Sequence, residues 1–251
     1  MGKIITIGGG GNGRPGTKYE TMEIDREIVR LTGKSSPNFL MIALATKDPE
    51  LYYRTMVPIF QDGLGCTMDQ ITLSDLRSFD ILKEKIRKAD IIYVGGGNTL
   101  TLMNRLRHYH IDTLLREAYT QNKMMCGISA GAICWCDYGN SFARNYGVWE
   151  SRAVRVKGLG YLPILLCPHY DVDPSRKPSL RDMMASTRTI PALALDDGAA
   201  LEVIDDKFRI ITSLDGAKAT KCYWMDREYH EQVIQKNRFY PLEELFVTTD
   251  C

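Results

Sequence analysis

The sequence predicts an α/β fold: a doubly wound, mostly parallel sheet with helices on both faces. Three observations carry that expectation. Short apolar runs such as Ile91-Ile92-Tyr93-Val94 lack polar alternation, which marks strands covered on both sides. Segments with helical spacing separate these runs, and they supply the crossovers that parallel strands need. Glycines cluster directly after strands, at Gly8-Gly9-Gly10-Gly11 and Gly95-Gly96-Gly97. Open α/β sheets place their ligand sites at such strand ends.

In chain order, residues 4–7 form the first strand and end in the four glycines. A helix over 20–31 follows, with Ile24, Ile28 and Leu31 on one face. Residues 39–45 read as the second strand, 49–60 as a helix opened by Pro49, and 68–73 as the third strand. Ile81, Leu82 and Ile86 mark a helix over 80–88, and 91–94 is a fully apolar strand. Helical patterns cover 99–106 and 111–120. A very short strand at 124–127 then meets a buried helix of small residues at 130–136. Residues 141–159 are polar, aromatic and poorly periodic, so they read as a long loop or a short hairpin. Strands at 162–167, 192–195, 199–204 and 208–212 surround a helix at 180–186. Asp196-Asp197-Gly198 and Asp205-Asp206 supply turns between the last three strands. Residues 217–224 suit a further strand, and 227–245 mixes helix with loop. No repeat, low-complexity stretch or linker interrupts the pattern, so 1–251 is expected to be a single domain.

The composition narrows the function classes. Basic and acidic residues number 32 and 31, a net charge of +1, which leaves no excess for gripping a phosphate backbone. No nucleic-acid partner is expected. No stretch approaches the ~20 apolar residues of a membrane span, and the first residues lack the apolar core of a signal peptide. Seven cysteines, an odd number with no C-x-x-C pair, argue against a disulfide framework and a zinc ribbon. Cys134 and Cys136 lie two apart on the expected helix and would point to different faces. The cysteine pattern therefore points to a reducing cytoplasm, with no metal expected.

Gly8, Gly10 and Gly13 match the dinucleotide pattern G-x-G-x-x-G, but its context fails. Arg14-Pro15-Gly16 stands where a helix should open, and the second strand ends Ala45-Thr46-Lys47 without an acidic residue. No cofactor is expected, and the glycines read as a loop whose amides line a site. The stronger signal is Gly127-Ile128-Ser129-Ala130-Gly131, a G-x-S-x-G elbow between a strand and a small-residue helix. A serine there is exposed on a strained turn, with helix amides behind it for a developing oxyanion.

A serine nucleophile needs a base, and there are only four histidines. His108 and His110 flank a helix end, and His230 falls on an expected surface helix. His169 follows the apolar strand 162–167, at a carboxyl strand end. The pair Asp196-Asp197 follows the next strand and can orient an imidazole, with Asp197 placed first. Glu150, between Ser129 and His169, would restore the order of α/β-hydrolases. The turn Gly95-Gly96-Gly97-Asn98-Thr99 can give a second oxyanion amide beside Ala130, with Asn98 or Thr99 as the helix cap.

Gly95-Gly96-Gly97-Asn98-Thr99, Gly127-Ile128-Ser129-Ala130-Gly131-Ala132, Pro168-His169 and Asp197-Gly198 occur in that order. The set resembles peptidase family S51, which includes aspartyl dipeptidase (peptidase E) and cyanophycinase. The resemblance spans about residues 3 to 225. It implies a class I glutamine amidotransferase-like (flavodoxin-like) three-layer sandwich, with serine at the elbow in place of cysteine. Ser129 would match the family nucleophile, His169 its histidine, and Gly97 with Ala130 its oxyanion hole. The family usually has glutamate where Asp197 stands. Either the backbone moves closer to make up the missing methylene, or Asp196 or Glu150 takes the role, or the triad is weakened.

The activity so implied is a serine peptidase that hydrolyses small peptides with an N-terminal aspartyl residue, through an acyl-enzyme. Arg181 falls roughly where the family has an arginine for the substrate carboxylate, and Arg176 competes with it. Asn98 is a further candidate substrate contact. Alternatives are a cyanophycinase-like or β-aspartyl isopeptidase activity, or a non-catalytic ligand-binding protein on the same fold. A homodimer is compatible with each.

Overall fold

Alternate residues of the apolar strands feed different cores. In β1 (Lys3–Ile7), Ile4 joins one apolar layer while Ile5 and Ile7 join another. In β2 (Asn38–Ile42), Leu40 and Ile42 face the first layer, and Phe39 and Met41 the second. A strand covered on both sides has no polar face to show, which is why these runs read as continuously apolar. β4 (Ile91–Val94) and β5 (Met124–Ile128) are buried throughout. The computed structural model describes residues 2–11, 13, 17–142 and 153–247.

With β3 (Thr67–Gln70), these strands form the parallel part of an eight-stranded sheet. Its other end is antiparallel and contains β10 (Ala199–Ile204), β11 (Lys207–Thr212) and the short β14 (Tyr240–Pro241). The order is β14-β11-β10-β1-β5-β4-β2-β3. One face is covered by α1 (Met22–Arg30) and α2 (Pro49–Val57). The sequence reads a helix to residue 60; Pro58 instead turns the chain into a π-helical segment, Pro58–Gly63. Its ring crowds the preceding turn and it has no N–H to continue the ladder. The other face holds α3 (Phe79–Lys88), α4 (Thr99–His108), α5 (Ile111–Thr120) and α6 (Ala130–Ile133).

The second half differs from the single sheet expected. β6 (Cys136–Ser141), β7 (Val154–Lys157), β8 (Leu162–Cys167), β9 (Ala192–Leu195), β12 (Ala219–Met225) and β13 (Glu228–Val233) build a separate sheet, ordered β13-β12-β9-β8-β6-β7. The cause lies at β5. Both of its edges are occupied, by β1 and β4, and α6 is too short for a parallel crossover. The chain therefore starts a new sheet at Cys136, where the sequence still reads helix. α7 (Arg176–Ala185) covers the outer face of this sheet through Leu180 and Met184. Its inner face shares the large core with the first sheet and α3–α6. The result is a three-layer α/β fold of mixed sheets with helices on both sides. A final α8 (Glu243–Phe246) ends the described chain.

The tail also departs from expectation. Residues 228–233 are strand rather than helix, because β12 and β13 form a hairpin whose central residues, Asp226 and Arg227, have φ of 50° and 71°. Positive φ at both positions is the turn that matches strand twist.

One buried charge-capable group stands out. Asp25 on α1 is fully buried, and Tyr19 Oη and Thr21 Oγ1 both donate to its Oδ2. Its Oδ1 has no partner among the described residues. Burial pushes this carboxyl up to about 7. Above about pH 4 the unfolded chain has released the proton, while the folded chain keeps it. The stability tied to this proton is full below that pH and is lost as pH rises towards 7. Asp25→Asn should flatten the fall of Tm with pH across about pH 4 to 7 and gain most, relative to wild type, at pH 8. Thermal melts over that range test this; an unchanged slope would exclude Asp25 as its source.

Candidate active site

The elbow is built by close backbone approach. Ser129 has φ 55° and ψ −112°, a conformation that side-chain-bearing residues rarely adopt. A Cβ on Gly127 would lie 2.4 Å from the Gly131 carbonyl oxygen, and one on Gly131 would lie 1.9 Å from that of Val94. Main-chain packing thus demands both glycines, Gly127 against α6 and Gly131 against β4. The Ser129 N–H donates to Ile7 O at 2.9 Å, and its carbonyl accepts from Ala132 and Ile133.

The second sheet supplies the histidine. β8 ends at Cys167, and Pro168 carries the chain to His169, itself at φ 55°. His169 Nε2 lies 2.9 Å from Ser129 Oγ, and Nδ1 lies 2.6 Å from Asp197 Oδ1. Asp197 sits on the connection from β9 to β10, where the chain passes from one sheet to the other. The three side chains therefore meet at the seam between the sheets. Asp197 is the carboxylate that reaches the imidazole. Its N–H donates to Asp171 Oδ1 at 2.8 Å, and the next amide, Gly198 N–H, donates to Gly9 O at 3.0 Å. Asp196 is engaged elsewhere: its carboxylate accepts from Lys218 N–H at 2.9 Å, and burial raises it above the usual range. Glu150 lies outside the described residues.

The first glycine loop covers the imidazole–carboxylate pair. A Cβ on Gly9 would lie 2.0 Å from Asp197 Oδ1 and 2.3 Å from His169 Nδ1. Any side chain there would displace the bond. The loop is pinned by Gly11 N–H to Glu20 Oε2 at 2.7 Å and by Glu20 N–H to Gly11 O at 2.8 Å. The sequence marks these glycines as a site lining but gives no sign of which group they cover.

The second glycine turn lies against the serine. A Cβ on Gly96 would stand 3.4 Å from Ser129 Cβ. No described group accepts from the Gly97 amide. Ala130, as the first residue of α6, has an amide with no acceptor inside its own helix. Neither amide has a described acceptor; Ala130 directly follows Ser129, and Gly97 directly follows the Gly96 that lies against it. Asn98 caps α4, its Oδ1 accepting from Thr101 N–H at 2.9 Å.

The two arginines separate. Arg176 is buried at the carboxyl ends of β6 and β8: its Nη1 donates to Asn140 O at 2.8 Å, and its guanidinium lies over Phe142. Arg181 lies further along α7, over the Tyr229 ring in an open cleft with Lys177, Pro178, Asp182 and Glu231. Of the remaining histidines, His108 ends α4, His110 precedes α5, and His230 lies on β13 stacked on Tyr223. None of them joins this cluster. The six described cysteines are free and buried; Cys134 follows the last residue of α6 and Cys136 opens β6, so the expected shared helix ends before both. No helix of the described chain is long and apolar enough to cross a membrane.

Gly9→Ala should separate His169 from Asp197. A proton on the Nδ1 of a tightly bonded imidazole resonates far downfield. One-dimensional NMR should show that signal in wild type and lose it in the variant, with overpacking costing about 1–3 kcal/mol of stability. Persistence of the signal would mean that Gly9 does not hold the pair.

The chain compares with known proteins over most of its length. It is 32% identical over 234 residues to the uncharacterized peptidase YgaJ of Bacillus subtilis (strain 168), covering 92% of this chain and 96% of that one. It is 29% identical over 197 residues to a peptidase E of Shewanella denitrificans, covering 76% and 81%. Its fold is similar to the crystal structure of a peptidase from an acI-B1 Actinobacterium, with a TM-score of 0.71 at 16% identity, covering 96% of this chain and 97% of that one. A putative peptidase E protein from Listeria monocytogenes EGD-e has the same fold with a TM-score of 0.59 at 17% identity, covering 84% and 98%. The sequence model of peptidase family S51 matches residues 4–211, and with the elbow, the glycine turns and the histidine in its order, the chain belongs to that family.

Proposed function

We propose that this chain is a serine peptidase that cleaves small peptides carrying an acidic N-terminal residue. The observation that supports it most is the continuous chain from Ser129 Oγ through His169 to Asp197, at 2.9 and 2.6 Å. In this reading His169 Nε2 takes the proton of Ser129 as its Oγ attacks the scissile carbonyl. Asp197 holds the proton on Nδ1, so that Nε2 is the basic nitrogen, and stabilises the imidazolium that forms. The amides of Gly97 and Ala130 receive the oxyanion. His169 returns the proton to the leaving amine, and water then releases the acyl group by the same route in reverse order.

The left-handed Ser129 supports the nucleophile role, since strain of about 1–3 kcal/mol at one residue is characteristic of functional sites. The departure from glutamate to Asp197 no longer favours a non-catalytic protein, because aspartate reaches His169. The acidic preference is supported by Arg176. Its Nε is buried with no hydrogen-bond acceptor among the described residues, the Asp173 carboxylate standing 3.7 Å away, and burial lowers its hold on a proton. An entering carboxylate would relieve both conditions. The relatives named peptidase E support a peptidase role. Buried, unpaired cysteines suit a reducing, cytoplasmic setting.

Hydrolysis of an Asp-X and Ala-X dipeptide panel tests the proposal. Wild type should favour Asp-X, and Ser129→Ala should lower kcat by about 10⁴-fold or more with its melting temperature preserved. Turnover that survives Ser129→Ala would sink the mechanism, and equal rates for Asp-X and Ala-X would sink the acidic preference. Arg176→Gln should raise KM for Asp-X by about tenfold, with a smaller effect from Arg181→Gln. The reverse ranking would move the carboxylate site to the α7 cleft.

A further inference from the structure

Four consecutive amides succeed β4, and three of them are engaged. Gly95 N–H donates to Ile42 O at 3.0 Å, and Asn98 N–H donates to Ala45 O at 2.8 Å. Gly96 N–H donates to the hydroxyl of Tyr52 at 3.4 Å. The Gly97 amide alone is left without a described acceptor. Tyr52 comes from α2, on the opposite side of the sheet from α4 and α6, and is 3% exposed. Its ring lies so close to the turn that a Cβ on Gly95 would stand 2.7 Å from a ring carbon.

We propose that Tyr52 is a positioning residue for the oxyanion turn. Its hydroxyl fixes the Gly95–Gly96 peptide, and the next amide, Gly97 N–H, is thereby aimed at the space beside Ser129. The inference rests on the proposed role of Ser129 as nucleophile. Three glycines in a row have broad conformational freedom. Gly97 itself has φ 139°, and a Cβ there would lie 2.3 Å from Ala45 O. A peptide flip in such a run would turn a carbonyl towards the site, and a carbonyl repels an oxyanion where an amide stabilises it. The anchors at either end of the turn are main-chain bonds, to the last residue of β2 and to the segment that follows it. The middle anchor is the one supplied by a side chain. A bond of 3.4 Å adds little to folding stability. In a glycine run a weak directional restraint is still enough to bias the peptide.

Tyr52→Phe keeps the ring against Gly95 and removes the hydroxyl. With an Asp-X dipeptide, kcat should fall about tenfold while KM stays within about twofold, a smaller loss than deleting an oxyanion donor outright. A peptide aldehyde, which forms a tetrahedral adduct on the serine, should lose affinity by the same factor. Independently of turnover, the Gly96 and Gly97 amide resonances of glycine-¹⁵N-labelled protein should shift or broaden. Wild-type kcat and aldehyde affinity in Tyr52→Phe would overturn the role of Tyr52 and leave the Ser129 reading intact. A parallel change in KM, kcat and Tm would make Tyr52 merely structural and also overturn it. Unmoved Gly97 resonances would overturn it even if Ser129→Ala showed that the nucleophile had been misassigned.

Discussion

The elbow at Ser129 admits no side chain two residues to either side. At Gly131 even a Cβ would fall 1.9 Å from the Val94 carbonyl. That approach fixes much of the path the chain takes after residue 131. A helix pressed this tightly against the end of β4 needs small residues at the contact, and α6 opens Ala-Gly-Ala before Ile133. It must also be short, because β1 and β4 already flank β5. With no edge to return to and no length to cross over, the chain leaves for a second sheet. His169 stands at the end of a strand in that sheet, and the route back to the first sheet carries Asp197. The seam that holds the three side chains is therefore a consequence of the elbow, not an addition to it.

The seam also explains the placement of strain. Ser129 and His169 both sit at φ 55°, each at a cost of about 1–3 kcal/mol. Such residues persist only where the surroundings determine them more strongly than their own backbone preference. Ser129 is held by Ile7 O in front and by α6 behind, and the residue after His169, Tyr170, is held by Leu195 O at 3.1 Å. The His169 and Asp197 side chains are only 30% and 20% exposed. An imidazole–carboxylate pair so placed keeps much of its electrostatic strength while remaining open to a small molecule on one side.

How far each interaction reaches along the chain decides whether the sequence reveals it or hides it. Ser129, His169 and Asp197 are legible because each comes after a short apolar strand, and strand, turn and glycine are local signals. The strands of the first sheet are legible for the same reason. The division into two sheets is not, since it depends on which strand edges are free after the whole chain has paired. β13 escapes notice because its turn, Asp226-Arg227, lacks the glycine that usually marks a turn with two positive φ values. Gly9 is visible as a glycine but not as the cover of a hydrogen bond formed between residues 169 and 197. Tyr52 carries no signal at all: its hydroxyl meets Gly96 across 44 positions of chain, and an aromatic residue on a helix reads as core.

Aspartate in place of glutamate at residue 197 fits this geometry. The distance from backbone to imidazole is shared between the side chain and the main chain that presents it. Here the main chain is drawn in: Asp171 accepts from the amide of Asp197, and Gly9 accepts from the amide of Gly198. The Gly9 backbone in turn leaves no room for a Cβ beside the Oδ1 of Asp197. A longer side chain on the same backbone would have to fold back into that glycine. The missing methylene and the missing Cβ are thus one adjustment. The backbone of the first glycine loop closes over the pair because the carboxylate is short, and the carboxylate reaches His169 because the connection between β9 and β10 is held close to that loop.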